Sequence, residues 1–314
     1  MKKLRIGLFV TSLERDYNKT RASYWIRILQ MEEFYKMHGA KVSINKYLTR
    51  YDAVILFRKP KPKYYFIPLY LKIISKKVYF DTCINVFDTH EEINHKRLEV
   101  AHKIARTADG FICASHRIAE HSKPHVKSVY VMEDPINIHH FATEKKNINF
   151  DSPIFGWSGV GAKAAFLNSY ADLISGRIVI ISEPNIENIK LNFNFEYLPW
   201  NYKTFPADLL KIDIALLPRV YNDPYNDSHS SFKALVFAVL GIPIIANKVP
   251  SYTKLAGYYD GIVFLEDFND SIDDCIEELK TRNLNTDRVK AHYSCENQAL
   301  ELINYINSQL KKTG

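Results

Sequence analysis

The sequence predicts an α/β protein made of two consecutive units, each a parallel β-sheet covered by helices on both faces. Three observations predict it. Twelve short apolar, β-branched runs recur with room for a helix between neighbours, and a polar stretch at 143–152 divides them into two series of six. The length of 314 residues suits two domains better than one. Continuous apolar strands separated by helical patterns mark sheets buried on both faces, which are parallel.

The first series runs LRIGLFV (4–10), KVSINKY (41–47), AVILFR (53–58), VYFD (78–81), GFICAS (110–115) and SVYVME (128–133). The second runs PIFGWSG (153–159), RIVIIS (177–182), FNFEYLP (193–199), DIALLP (213–218), IPIIAN (242–247) and GIVFLED (261–267). Between them, apolar residues recur at helical spacing: Tyr24, Ile28, Met31 and Tyr35 over 20–38, and Ile93, Val100 and Ile104 over 91–107. These stripes are core packing. A last helix over 296–312 carries Leu300, Leu302, Ile303, Ile306 and Leu310 and is expected to return to the first unit. The domains are expected at 1–140 and 141–314.

Composition narrows the function classes. Hydrophobic residues make up 46% and charged residues 25%, with no Gly-, Ser- or Pro-dominated segment, so every part of the chain is expected to be structured. The most apolar stretch, 64–74, is short and is broken by Pro68 and Lys72, so no membrane span is expected. The N-terminal LRIGLFVTS (4–12) is too short for a signal-peptide core and runs into Glu14 and Arg15, which predicts a cytoplasmic protein. Cys83, Cys113, Cys275 and Cys295 have no metal-ligand spacing and read as free thiols. Charge is uneven: residues 1–140 hold 25 Lys/Arg against 14 Asp/Glu, and 141–314 hold 17 against 21, within an overall +7. The basic half calls for an anionic partner: nucleic acid, anionic lipid headgroups or a phosphorylated molecule.

Residues 10–20 contain no glycine, which excludes the dinucleotide-binding fingerprint after the first strand. A P-loop and an Asp-x-Asp metal motif are also absent. Two glycine-bearing or polar loops in the second half can hold phosphate. Gly156, Gly159 and Gly161 let backbone approach a ligand, with Lys163 close behind. The loop 219–231 leads into a helix start near Ser230, where unpaired N–H groups favour an anion; Ser228, Ser230 and Ser231 can cap that helix or donate to phosphate, and Lys233 follows. Plain N-capping with a solvated lysine explains the same residues.

Several ordered segments resemble the GT-B glycosyltransferases, and among them the large retaining group called family four. They are RTADGFICASHRIAEH (106–121), VKSVYVMEDPINIHHF (126–141), IFGWSGVGAKAAFL (154–167) and, most specifically, LPWNYKTFPADLLKIDIALLPRVYNDPYNDSHSSFKALVFAVLGIPIIANKVPSY (198–252). The resemblance covers nearly the whole chain. It implies two Rossmann-like α/β/α domains facing across a cleft, and a hexosyl or related transferase that binds a nucleotide-sugar donor in the second domain. It implies donor contacts from Ser158, Gly159, Gly161, Pro199, Trp200, Tyr202, Arg219, Asp227, Ser228, Ser230 and Ser231, with Lys163 and Lys233 at the leaving diphosphate and no metal or cofactor.

Two departures stand out. Counting back from Gly241, the glutamate pair of that group falls on Val236 and Ser228, so neither acid is present. Asp223 or Asp227 could substitute. The opening loop 11–27 lacks glycine and carries Arg15, Lys19, Arg21 and Arg27. Arg21, Arg27 and Asp81 are candidates for an acceptor, with Arg21 and Arg27 reading equally as surface arginines. Retention follows from the resemblance. An inverting reaction would need a base, for which Asp16, Asp81, Asp88 and His90 are candidates.

The expected function is sugar transfer to a glycan, lipid-linked or phosphorylated acceptor in bacterial surface polysaccharide or glycoconjugate synthesis. Segment 59–77 interleaves Lys59, Lys61, Lys63, Lys72, Lys76 and Lys77 with aromatic and aliphatic residues, which suits the inner face of an anionic membrane and equally suits an ordinary helix. A non-catalytic binding protein of the same fold and a basic nucleic-acid-binding α/β protein are the competing readings.

Overall fold

A computed structural model of the chain describes residues 3–10, 14–57, 66–87, 95–174, 176–183, 190–220 and 223–312. Within these, the chain divides into two compact units. Unit 1 comprises Met1–Pro135, Asp227–Ser230 and Tyr293–Gly314; unit 2 comprises Ile136–Asn226 and Ser231–His292.

Unit 1 contains a parallel sheet of six strands, β1 (Arg5–Val10), β2 (Lys41–Ile44), β3 (Tyr51–Phe57), β4 (Ser75–Thr82), β5 (Gly110–Cys113) and β6 (Val129–Val131), in the order β2-β1-β3-β4-β5-β6. Every expected run forms a strand. The second stops at Ile44 rather than continuing to 47, because Asn45 turns left-handed (φ 51) and its Oδ1 accepts the Val10 N–H at 2.9 Å, closing the end of β1.

Both faces are covered, as continuous apolar strands require. Ile6, Leu8, Val10, Ala53 and Ile55 pack with Ile28, Met31 and Tyr35 and with Leu302, Ile303 and Ile306; Phe9, Val54 and Leu56 pack on the other face with Leu71, Val100 and Ile104. The helices are α1 (Ala22–Tyr24) and α2 (Gln30–Met37), joined by a π-wound turn at Trp25–Leu29, then α3 (Ile67–Ile74), α4 (His95–Thr107) and α5 (His116–Ser122).

Unit 2 holds β7 (Phe155–Gly159), β8 (Ile178–Ser182), β9 (Glu196–Pro199), β10 (Ile214–Leu217), β11 (Ile244–Ala246) and β12 (Ile262–Phe264), all parallel, in the order β12-β11-β10-β7-β8-β9. Its helices are α6 (Phe205–Leu209), α7 (Pro224–Ser228), α8 (Phe232–Ala238), α9 (Pro250–Ala256), α10 (Ile272–Lys280) and α11 (Asp287–Tyr293), with the last residues of α7 and α11 counted in unit 1. The final helix α12 (Cys295–Lys311) belongs to unit 1 and packs on α2.

Strand order locates the crevices. In unit 2 the chain builds outward from β7 through β8 to β9, then crosses to the other side of β7 to lay down β10, β11 and β12. The direction therefore reverses between β7 and β10, and ligands of open parallel sheets bind outside the carboxyl ends of the strands at such a point. In unit 1 the reversal lies between β1 and β3.

Candidate functional site

At the carboxyl end of β7, Gly159 is a point of close approach. A Cβ there would lie 2.6 Å from the Lys233 Nζ and 3.0 Å from the Trp157 ring. The glycine leaves room for the Lys233 ammonium, which rests 4.2 Å from the Trp157 ring centroid. Lys233 is the second residue of α8, which leads into β11. Burial, then the neighbouring charges of Arg219 and Lys163, hold its pKa well below the ordinary lysine value. Among the described residues no carboxylate is bonded to it.

Arg219 follows the end of β10. Its backbone N–H donates to Asn247 Oδ1 at 2.8 Å, and its Nε donates to the Tyr252 hydroxyl at 3.0 Å. Asn247, just past β11, also accepts from the Tyr170 hydroxyl at 3.0 Å and donates from Nδ2 to Glu266 Oε1 at 3.0 Å. Glu266 stands past the end of β12. One hydrogen-bonded set thus spans the carboxyl ends of β10, β11 and β12 and fixes Arg219. Lys163 lies in the 3₁₀ run Gly161–Tyr170 that follows β7, its backbone N–H donating to Val160 O at 2.9 Å. Three cations therefore gather at the β7/β10 reversal.

The remaining expected donor residues divide. Ser158 is buried in β7, and Gly161 opens the 3₁₀ run. Gly156 serves packing, since a Cβ would fall 2.2 Å from Ile212. Pro199 ends β9; Trp200 donates its backbone N–H to Ser182 O at 2.7 Å, and the Tyr202 ring stacks on His140 at 4.1 Å. Ser231 occupies the N-cap of α8 without a side-chain cap bond.

Asp227, Ser228 and Ser230, expected beside the donor phosphates in the second domain, belong to unit 1. There the Ser115 hydroxyl donates to Ser228 O at 2.7 Å, and the Ser230 hydroxyl donates to Asp134 Oδ2 at 2.5 Å. The Ser230 hydroxyl thus directs its hydrogen at a carboxylate.

Arg27, read from sequence as a phosphate ligand or a surface arginine, is 1% exposed. It lies in the π-wound turn Trp25–Leu29, all five residues of which are buried. Its Nε donates to Asp81 Oδ1 at 2.8 Å, and its Nη1 donates to Asp134 Oδ1 at 2.8 Å and to Met132 O at 2.9 Å. The guanidinium ties together the carboxyl ends of β4 and β6. Burial pushes the Asp81 carboxyl up to about 6, with Arg27 pulling the other way. Arg27 and Asp81 are both buried and paired with each other, with Arg27 Nη2 also 2.8 Å from Asp81 Oδ1. Arg21 is exposed at the N-cap of α1. Asp16 organises its own turn, accepting the Asn18 N–H at 2.9 Å on Oδ1. Asp88, His90 and the lysines at 59, 61 and 63 lie outside the described residues.

Nothing in the sequence signalled that Asn247, Tyr252 and Glu266 would orient Arg219. The only available hint was that each lies at or soon after the end of an apolar run. Among the described residues no helix is long and apolar enough to cross a membrane, and no group of three or more His, Cys, Asp or Glu is placed to hold a metal ion.

No family model and no curated protein matches the sequence. Solved structures do match over the whole chain. A sucrose-phosphate synthase from Thermosynechococcus elongatus aligns with a TM-score of 0.71 at 13% identity, covering 99% of this chain and 100% of that one. AviGT4, a glycosyltransferase involved in avilamycin A biosynthesis, aligns at 0.65 and 10% identity, covering 98% of each. Anabaena HepE in complex with UDP aligns at 0.61 and 9% identity, covering 97% and 100%; HepE with UDP-glucose aligns at 0.58 and 11%, covering 99% of each. The fold is GT-B: two Rossmann-like α/β units, each with a six-stranded parallel sheet.

Proposed function

We propose that this protein is a glycosyltransferase that takes a sugar from a nucleotide-activated donor, with the donor diphosphate held in unit 2 by Lys163, Arg219 and Lys233. The observation that carries the reading is the gathering of these three cations at the β7/β10 reversal, where Gly159 opens space for the Lys233 ammonium. A desolvated lysine beside two like charges is costly in an empty site and favourable once a dianion arrives. Cations fixed before the reaction can stabilise the charge that grows on a leaving diphosphate. The fold supports the same reading, since HepE of like fold is solved with UDP and with UDP-glucose.

Ser158 and Gly161 flank the diphosphate in this reading, and Pro199, Trp200 and Tyr202 flank the base. The absent glutamate pair leaves ribose recognition to other groups. The acceptor is phosphorylated or lipid-linked, in keeping with the basic 1–140 half.

The test is incubation of the full chain with a panel of nucleotide sugars, following nucleoside diphosphate release by mass spectrometry. Slow release from one donor, abolished in Lys233→Met, is expected. No release from any donor, with and without phosphorylated acceptors, overturns the proposal.

A further inference from the structure

Helix α3 is apolar on two sides, and only one of them is buried. Ile67 and Leu71 pack into the core of unit 1. Phe66, Leu69 and Ile73 are 55, 63 and 65% exposed. Spacings of three and four residues align these three along a single face of the helix. The stripe continues onto the turn before β3, where Leu48 is 99% exposed and Tyr47 is exposed beside it. Two bonds fix that turn against the helix: the Tyr70 hydroxyl donates to Tyr47 O at 2.8 Å, and Arg50 Nη1 donates to Ile73 O at 3.0 Å. Scattered exposed apolar residues are ordinary, but a stripe locked to an equally apolar turn marks an interaction surface.

We propose that the face formed by Phe66, Leu69, Ile73, Leu48 and Tyr47 docks this protein onto an anionic lipid bilayer. Charge argues for this occupant. Lys46 and Arg50 are exposed on either side of Tyr47 and Leu48, and residues 1–140 carry an excess of eleven cations by sequence. The nearby carboxylates are already engaged: Asp109 with Lys72 at 3.4 Å, and Asp52 with Lys76 at 3.2 Å. Basic residues beside an apolar stripe are drawn to anionic headgroups, while tyrosines such as Tyr47 and Tyr70 sit well at the boundary between headgroup and acyl chain.

A second copy of the chain fits less well, because a face-to-face pair would bring two like-charged surfaces together. Nucleic acid also fits less well, because Leu48, Leu69 and Ile73 offer no platform for base stacking. Surface docking goes beyond the sugar-transfer reading and does not depend on it, since Lys163, Arg219 and Lys233 belong to unit 2.

The test is co-sedimentation of the full chain with phosphatidylcholine vesicles, with and without phosphatidylglycerol, at low and high salt. The wild type is compared with Leu69→Glu/Ile73→Glu and with Lys46→Glu/Arg50→Glu. All four positions are exposed, so Leu69→Glu/Ile73→Glu should melt as the wild type does, and Lys46→Glu/Arg50→Glu, which also loses the exposed Arg50–Ile73 bond, should stay folded with at most a small drop. The wild type should pellet only with the anionic vesicles and be released by salt, and each double variant should partition at least about tenfold less. Three results overturn the proposal: a wild type that stays in the supernatant, variants that pellet as well as the wild type, or wild-type self-association that the Leu69→Glu/Ile73→Glu chain lacks. Stronger binding to a single-stranded oligonucleotide than to vesicles, lost in the same variants, also overturns it.

Discussion

Replacing Lys233 with Met isolates the charge that the site is built around. Methionine preserves most of the aliphatic stem and removes only the ammonium, which rests 4.2 Å from the Trp157 ring centroid. A charge-assisted hydrogen bond to phosphate is worth about 1.5–3 kcal/mol. At about 1.4 kcal/mol per factor of ten, nucleoside diphosphate affinity should fall roughly 10- to 100-fold. A group that also stabilises the leaving diphosphate contributes about 2.7–4 kcal/mol in the transition state, so transfer should fall roughly 10²- to 10³-fold.

Stability should move the other way. The folded chain holds Lys233 with its pKa below the ordinary 10.5, so between the lowered value and 10.5 the unfolded chain binds more protons. Wild-type stability therefore carries a penalty at neutral pH that is relieved as pH rises through that window. The Met variant lacks the penalty, and its melting temperature at neutral pH should equal or exceed that of the wild type, with the advantage shrinking toward pH 10.5. Thermal unfolding with and without UDP, at neutral and alkaline pH, reads both effects. A folded Met variant that UDP stabilises as much as the wild type would refute the reasoning.

Gly159→Ala should lower nucleoside diphosphate affinity about tenfold, or about 1.4 kcal/mol, because the added methyl would lie 2.6 Å from Lys233 Nζ and displace it; calorimetric titration measures this, and an unchanged Kd would mean the ammonium position does not matter. Arg27→Met should cost about 3–5 kcal/mol in urea unfolding by stranding the buried Asp81 and Asp134, with Arg27→Met/Asp81→Asn costing less than the single change; equal losses in both variants would count against an uncompensated charge as the cause. Asp81, held up to about 6 by burial, binds its proton more tightly folded than unfolded, so it favours the folded state more as pH falls from about 6 toward 4. The stability of the wild type relative to Asp81→Asn should rise over that range, and a flat difference would contradict the burial argument.

The sequence made the sheets legible because each strand of a doubly covered parallel sheet is a continuous apolar run, and all twelve runs are strands. The helical stripe of Tyr24, Ile28, Met31 and Tyr35 is buried as its spacing requires. Arg27 sits within that helix with nothing in its local pattern to distinguish it from a solvated arginine. Its fate is decided by Asp81 and Asp134, 54 and 107 residues away, and by a π-wound turn that the 3.6-residue period does not anticipate.

The candidate site was legible in part. Lys163, Lys233 and Gly159 stood out because glycine and lysine near strand ends are the ordinary components of phosphate sites. The serines of 228–231 looked equivalent in sequence, yet Ser230 spends its hydroxyl on Asp134 and Ser228 lends its carbonyl to Ser115. The support of Arg219 by Asn247 and Tyr252 depends on which strands lie side by side, and periodicity carries no information about strand order.

The most direct test of the central claim is calorimetric titration of the full chain with UDP, GDP, ADP and CDP, repeated with Lys163→Met, Arg219→Met and Lys233→Met. At least one nucleoside diphosphate should bind with a stoichiometry of one, and each folded variant should weaken that binding roughly 10-fold or more. No saturable binding by any of the four, or binding that all three variants leave unchanged, would contradict the claim that these cations hold a donor diphosphate.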